Sequence, residues 1–386
     1  LTTSGAVVIQ PLSGGIFYSP FTTANISFGS SISALTLGST SNNQSLTVTN
    51  AINIAGPISV YAGPITLNGS LTSTLAGSEI LIESTNSITT GNQSLNFQTN
   101  NGPLVFWSNS NGGTAGGIYL GNSNTLNTAN GSTSQSIGGG NITLGGGTGS
   151  GSVPTGFSSN SSGSGISIGA NASNNGSFYT GGGNVLIQGS TASAMTNGGI
   201  FYGNTTINSG QGAVTVYGQY IGGSSGSGLI LNGANLTIFS AASSGNAISL
   251  NGTGAAASYG LNITSGSATL EATGGGSISV VGTTNGSGTG MAISSSSLNV
   301  LSSSGPVTLN ASSGSTVLNL VNGNLNFGAL AGTCVSASSA AITLNFNSFS
   351  NPGSETINIS TTGPVTLQPL SGTSFTWTSN WMNLSS

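Results

Sequence analysis

The feature that most constrains this chain is a pair of apolar residues, one position apart, that returns between short polar runs. From Gly228 the chain reads GLILNGANLTIF and then NAISLNG. From Gly260 it reads GLNITSGSATLEA and then GSISVVG, and from Gly290 GMAISSSSLNVL and then GPVTLNA. Aligned, Leu229/Leu231 match Leu261/Ile263 and Met291/Ile293, while Leu236/Ile238 match Ala268/Leu270 and Leu298/Val300. Ile248/Leu250 likewise match Ile278/Val280 and Val307/Leu309, and the steps are 29 to 32 residues. The same signature occurs earlier, at Ile118/Leu120, Ile142/Leu144, Ile166/Ile168, Val185/Ile187, Ile200/Tyr202 and Val214/Val216. Alternation with period two marks a half-buried strand, and the Gly and Asn residues between pairs supply turns.

Three short strands in about 30 residues describe one rung of a stacked coil. A single rung cannot bury its apolar pairs, whereas stacked rungs place Leu over Ile over Met in a continuous core. The chain is therefore expected to be all-β: a parallel β-helix, or β-solenoid, of short strands joined by Gly, Asn and Ser turns. Essentially no α-helix is expected, because 65 glycines would be costly inside helices. Outward Ser, Thr and Asn should stack into side-chain ladders, free of the repulsion that stacked like charges would create. In GPISVYAGPITLNGSL (56–71), Gly-Pro-Ile returns after seven residues, which fits either shorter rungs or a hairpin pair. Pro57, Pro64, Pro103, Pro306 and Pro364 each follow Gly just ahead of an apolar pair, where Pro can begin a strand.

A longer period joins the two ends. Residues 1–28 and 359–386 align without a gap at a separation of 358, with Gln10-Pro11-Leu12-Ser13-Gly14 recurring as Gln368-Pro369-Leu370-Ser371-Gly372. Gly5 maps to Gly363, Phe17 to Phe375 and Asn25 to Asn383. Three segments follow: 1–110, with less regular rungs; 111–358, with rungs of about 30 residues and Gly/Ser-rich insertions near 121–164; and 359–386, the opening of the next large repeat. A chain starting at Leu1 without a basic and apolar leader is expected to be a mature product or an internal piece of something longer.

Composition narrows the function classes. The chain has no Lys, Arg, His or Asp; its carboxylates are Glu79, Glu83, Glu271 and Glu355, and its one thiol is Cys334. General acid–base catalysis draws on His, tuned carboxylates or Lys, and a Ser-His-Asp or Cys-His arrangement cannot be built without His. Zinc and calcium sites need ligand sets this chain does not supply. No enzymatic activity, cofactor or metal is therefore expected. Phosphate binding rests on Lys and Arg, so nucleic acid is not an expected partner for a chain of net charge −4. No apolar run approaches the roughly 20 residues that span a membrane. Disorder is also not expected, since 35% of the residues are hydrophobic and regularly placed.

The segments AINIAGPISVYAGPITLNGSLTS (51–73), GGNVLIQGS (182–190) and SGPVTLNASSGS (304–315), with the QPLSG unit openings, resemble the large bacterial surface adhesins of the filamentous-haemagglutinin type. These are secreted as autotransporter or two-partner passengers. The resemblance covers most of the chain in style. It implies a right-handed parallel β-helix, export to the cell surface and a role in attachment. The expected role is a structural or adhesive module of an extracellular filament of tandem units. Its expected partners are other copies, end to end and laterally, and surface glycans of host or neighbouring cells. A separate subunit polymerising head to tail through its related ends, and a carbohydrate-binding β-helix, are the alternatives.

Candidate residues are few. Phe17, Tyr18, Phe21, Trp107, Phe375, Trp377 and Trp381 could form a junction between units or contact a partner. Glu79 and Glu83, four apart, should share one strand face and are expected to be solvated. Cys334 is expected to act as a small buried hydrophobe. Asn-x-Ser/Thr sites at Asn25, Asn68, Asn141, Asn204, Asn235, Asn262, Asn310 and Asn383 accept glycans only in a host with the machinery. Thr47-Val-Thr49 and Thr376-Trp-Thr378 suggest a Thr array, but are not expected to repeat from rung to rung.

Overall fold

The computed structural model describes residues 1–11, 17, 20–91, 93–171, 173–193, 196–223, 225–233, 235–313, 316–350, 355–370 and 382–385, with 316–317 and 382–385 described by their backbone alone. Among these residues there is no helix. Among the described residues the chain coils through three long sheets of 15, 12 and 12 strands, and from Ala34 to Ser360 each rung visits the first, second and third sheet in turn. The described strands pair in parallel from rung to rung, apart from one antiparallel hairpin. The chain is a parallel β-helix, as the apolar pairs predict.

The register gives the core its form. One inward column on the first sheet runs through thirteen strands: Val7, Leu35, Ile58, Ile80, Leu104, Ile142, Val185, Val214, Ile248, Ile278, Val307, Ile342 and Val365. Between its end members the column is buried. Burying one such side chain contributes about 1.5–3 kcal/mol, so a rung is stable only while both neighbours cover it. The pairs aligned by sequence are opposite one another: Leu229 with Leu261 and Met291, Ile238 with Leu270 and Val300, Leu250 with Val280 and Leu309.

One pair is misplaced by the sequence pattern. Ile200/Tyr202 was the expected inward pair, but Ile166 lies opposite Gly199 and Ile168 opposite Phe201. Gly199 carries no side chain for a hydrophobic pattern to register. Phe201 is fully buried above Ile168, and the register shifts by one residue.

The 56–71 segment resolves into shorter rungs. Ile58 pairs with Ile80 and Ile65 with Ile88, so Ile58–Ala62 and Ile65–Leu67 lie on successive sheets rather than forming a hairpin. Leu35, Ile58, Ile80 and Leu104 stack in register, which makes these rungs 22–24 residues long. From Leu104 to Ile142 and then Val185 the rungs lengthen to 38 and 43 residues, where the Gly/Ser-rich insertions fall.

Corners are built by two devices. Strands start directly after the Gly-Pro pairs, at Ile58, Ile65, Leu104, Val307 and Val365. Pro lacks an N–H, but its carbonyl still serves the ladder: Pro57 O accepts from Leu35 N–H at 2.9 Å and Pro364 O from Ile342 N–H at 2.9 Å. Gly56 is required by close approach, since a Cβ there would lie 1.6 Å from Ser33 O. The second device is a buried hydroxyl at the corner between the third and first sheets. Thr99, Ser209 and Ser302 donate to the carbonyls of Gly102, Gly212 and Gly305, three residues on, at 2.5, 2.6 and 2.7 Å; Thr180 does the same to Gly183. Each closes the turn with a side-chain bond to its own backbone, and Gly212 O also accepts from Ser240 Oγ–H at 2.8 Å.

Candidate functional site

Of the aromatic residues singled out by sequence, Phe17, Phe21 and Trp107 are described, and Trp107 stands apart from the other two. Phe17 and Phe21 stack at 4.9 Å with an interplanar angle of 11°, both half-buried in the first rung. Phe21 pairs with Leu46, and Phe17 N–H donates to Asn42 Oδ1 at 3.3 Å. Trp107 lies four first-sheet strands further on, pointing outward. Tyr18, Phe375, Trp377 and Trp381 lie outside the described residues.

Trp107 belongs to a second, outer cluster. Leu81, Val105 and Trp107 pack together on the outside of the first sheet, with Tyr61 against them. The strand Ile142–Ser150 runs past the end of its neighbours and turns back as an antiparallel hairpin with Val153–Gly156. Trp107 Nε1–H donates to Gly147 O at 2.6 Å, and a Cβ on Gly149 would lie 2.6 Å from the indole ring. The hairpin therefore lies on the indole, leaving Trp107 only 4% exposed. A buried Trp ring carries large apolar area and wants a partner for its N–H, and the Gly-rich hairpin supplies both.

Glu79 and Glu83 share the outward face, as their spacing predicts, but they are only partly solvated. Both are half-buried around this cluster: Ser152 Oγ–H donates to Glu79 Oε2 at 2.7 Å, and Glu83 stands between Tyr61 and Trp107 in the register. Burial pushes both carboxyls above the usual range, and hydroxyl bonds from Ser152 and Ser110 oppose the rise. At about 3.3 Å per residue the two lie ~13 Å apart along the strand.

The remaining titratable groups are dispersed. Cys334 is exposed rather than buried, because the neighbouring Val335 takes the inward place in the 329–341 loop. Its backbone N–H donates to Glu271 Oε2 at 3.1 Å, and a separate hydrogen bond from the thiol to Glu271, then burial, then the Glu271 charge push the thiol up. A raised thiol holds little thiolate and is a poor nucleophile. Glu355 is buried and accepts from Asn322 N–H. Among the described residues no group of three His, Cys, Asp or Glu could hold a metal ion. A shallow cavity of ≈ 340 Å³ beside the hairpin is lined by neutral residues, including Asn141, Thr143, Val153, Asn184 and Thr215.

The most regular surface is one that sequence reasoning only outlined. On the outside of the third sheet, Asn96, Thr125, Ser177, Thr206, Thr237, Thr269, Asn299, Asn326 and Asn358 stand opposite one another through successive rungs. Asn358 Nδ2–H donates to Asn326 Oδ1 at 2.8 Å, Asn326 Nδ2–H to Asn299 Oδ1 at 2.7 Å, and Asn299 Nδ2–H to Thr269 Oγ1 at 3.0 Å. Several sequon asparagines serve the same purpose. Asn204 Oδ1 accepts from Asn235 N–H at 3.0 Å, Asn141 Oδ1 from Asn184 N–H at 2.8 Å, and Asn310 Oδ1 from the Asn345 amide. These side chains are committed to rung-to-rung bonds. The Thr array also differs from expectation at one position: Thr47 stacks between Thr22 and Thr66, which stacks on Thr89.

The first and last described strands of the first sheet carry partly buried apolar residues. Val7 and Ile9 at one end, and Val365 and Leu367 at the other, pack against the core yet are only partly buried. Compared with protein-family models, curated proteins and solved structures, the chain gives no match.

Proposed function

We propose that this chain is a non-catalytic structural and adhesive module of an extracellular or cell-surface filament built from tandem solenoid units. The observation that supports this reading is the continuity of the stack: thirteen first-sheet strands joined without interruption, ending in half-buried apolar residues at both ends. A rod of stacked rungs resists bending because each sheet runs the length of the axis. Its neutral outer ladders leave little charge to oppose close lateral packing. The adhesin-like segments 51–73, 182–190 and 304–315 support the same role, and attachment would then be to neighbouring copies and surface glycans.

Immunogold labelling of intact producing cells, with an antibody raised to the outer hairpin 142–156, tests the proposal. Label along surface filaments is the expected result. Label confined to the cell interior overturns it.

A further inference from the structure

The chain contains ten Asn-Gly pairs, and the fold holds nine of them in place. In such a pair the backbone nitrogen of Gly can attack the side-chain amide carbon of the Asn before it, because no Cβ stands in the way. The Asn side chain and the following N–H must move together to meet, so packing and hydrogen bonds decide which pairs react. Asn175, Asn197, Asn232 and Asn251 lie in strands and are held in the ladder. The N–H groups of Gly112 and Gly131, after Asn111 and Asn130, are engaged by Asn109 O and Asn127 Oδ1 at 2.8 and 3.1 Å. Asn101 Oδ1 accepts from Gln135 Nε2–H at 3.2 Å, and Asn322 N–H donates to Glu355, with Gly323 buried behind it. Asn68 is half-buried, with its Oδ1 pressed against Gly91 of the next rung.

Asn285 is held by none of these devices. It is exposed, it follows the last residue of strand Ser277–Thr284, and neither it nor Gly286 makes a hydrogen bond to any described residue. The loop is pinned just beyond them instead: Ser287 Oγ–H donates to Ala256 O at 3.4 Å, and Thr289 N–H to Ser258 O at 2.9 Å. A Cβ on Gly286 would lie 2.7 Å from Cβ of Ala256, so the close approach of the rung below requires glycine at this corner. Packing thus fixes the residue type that makes Asn285 reactive, while leaving the reacting groups unbonded.

We propose that Asn285 is a self-modifying site, converted to aspartate and isoaspartate with water as the only co-reactant. The Gly286 nitrogen bonds to Asn285 Cγ, and the Cγ–Nδ2 bond breaks. The proton lost by the Gly286 nitrogen balances the one gained by the leaving amide, which departs as ammonia. Water then opens the five-membered imide at either carbonyl, giving aspartate or isoaspartate. Either product places a carboxylate on a corner that has none, in a chain that is made without Asp. Isoaspartate also routes the main chain through the side-chain carbons, lengthening the corner where it lies on Ala256. This inference is independent of the filament role.

The test is incubation of the full folded chain in mildly basic buffer, followed by chymotryptic digestion and peptide mass spectrometry. The peptide carrying Asn285 should become about 1 Da heavier, roughly tenfold faster than any peptide carrying one of the nine held pairs. In the denatured chain the ten pairs should react at similar rates. An Asn285 that stays unmodified in the folded chain, or a held pair that reacts faster, overturns the proposal. The same ranking in the denatured chain overturns it too, since the fold would then not be the selector. Asn285→Gln should abolish the shift, because glutamine would have to close a larger ring, and a shift that persists overturns the assignment to this residue.

Discussion

The indole N–H of Trp107 reaches Gly147 O at 2.6 Å across 40 residues of chain, and this bond ties the outer hairpin to the solenoid wall. The hairpin has no sheet of its own: Trp107, Leu81 and Val105 are the apolar surface beneath it. Trp107→Ala should therefore free the hairpin while leaving the rungs stacked, at a local cost of about 3–5 kcal/mol. Trp107→Phe keeps most of the ring and loses one hydrogen bond, costing about 1 kcal/mol. Hydrogen exchange across 142–156 measures both, and unchanged protection in Trp107→Ala would refute the tie.

Glu79 and Glu83 make stability depend on pH in a direction opposite to most surface carboxylates. Both have folded-state pKa values raised by burial. Their contribution is fully present below the unfolded carboxyl value, near pH 4.3, and is lost as pH rises through the raised folded values. Thermal unfolding should thus be highest in mild acid and decline towards neutrality. A Glu79→Gln, Glu83→Gln double variant should flatten that slope and melt higher than the parent at pH 7. A parent that gains stability from pH 4 to 7 would contradict the assignment.

Gly56 sits where the chain passes closest to the rung before it, with Ser33 O 1.6 Å from the position of a Cβ. Gly56→Ala should force the corner apart and lower stability by about 2–4 kcal/mol, a loss of the size that backbone strain and core disruption produce. Denaturant unfolding checks the size of the effect. Gly77, at positive φ with nothing near its Cβ position, is the control for the strain of a left-handed glycine alone.

Asn326 is both donor to Asn299 and acceptor from Asn358, the middle of a three-Asn ladder. Asn326→Ala breaks two bonds and should cost about 1–2 kcal/mol. Asn326→Thr restores the residue type found lower in the same column, at Thr237 and Thr269, and should recover much of the loss. Unfolding of both variants against the parent decides this, and equal stability of Asn326→Ala and the parent would remove the ladder as a stabilising element.

Much of the architecture was legible in the chain because a solenoid repeats one local rule. Period-two apolar pairs fix which residues face inward, and equal spacing fixes what stacks on what, so the chain alone aligns Leu229, Leu261 and Met291 as the fold stacks them. The same rule fails where a residue leaves no trace in a hydrophobic pattern. Gly199 is such a residue, and the Ile200/Tyr202 register slipped by one because of it. The Ser/Thr-x-x-Gly corners carried a readable signal, a hydroxyl three residues ahead of a glycine, that hydrophobic periodicity does not weigh.

The sequence by itself determined the fold class, the inward columns and the absence of the side chains that most catalysis and nucleic-acid binding require. Those follow from local alternation and from composition, which need no knowledge of distant contacts. Only the tertiary structure decided what happens on the outside. The hairpin covers Trp107 and half-buries Glu79 and Glu83, Val335 displaces Cys334 to the surface, and nine Asn, Ser and Thr residues from separate rungs meet in one column. Each of these depends on which rung lies over which, and that is set by the lengths of loops whose sequences carry no period.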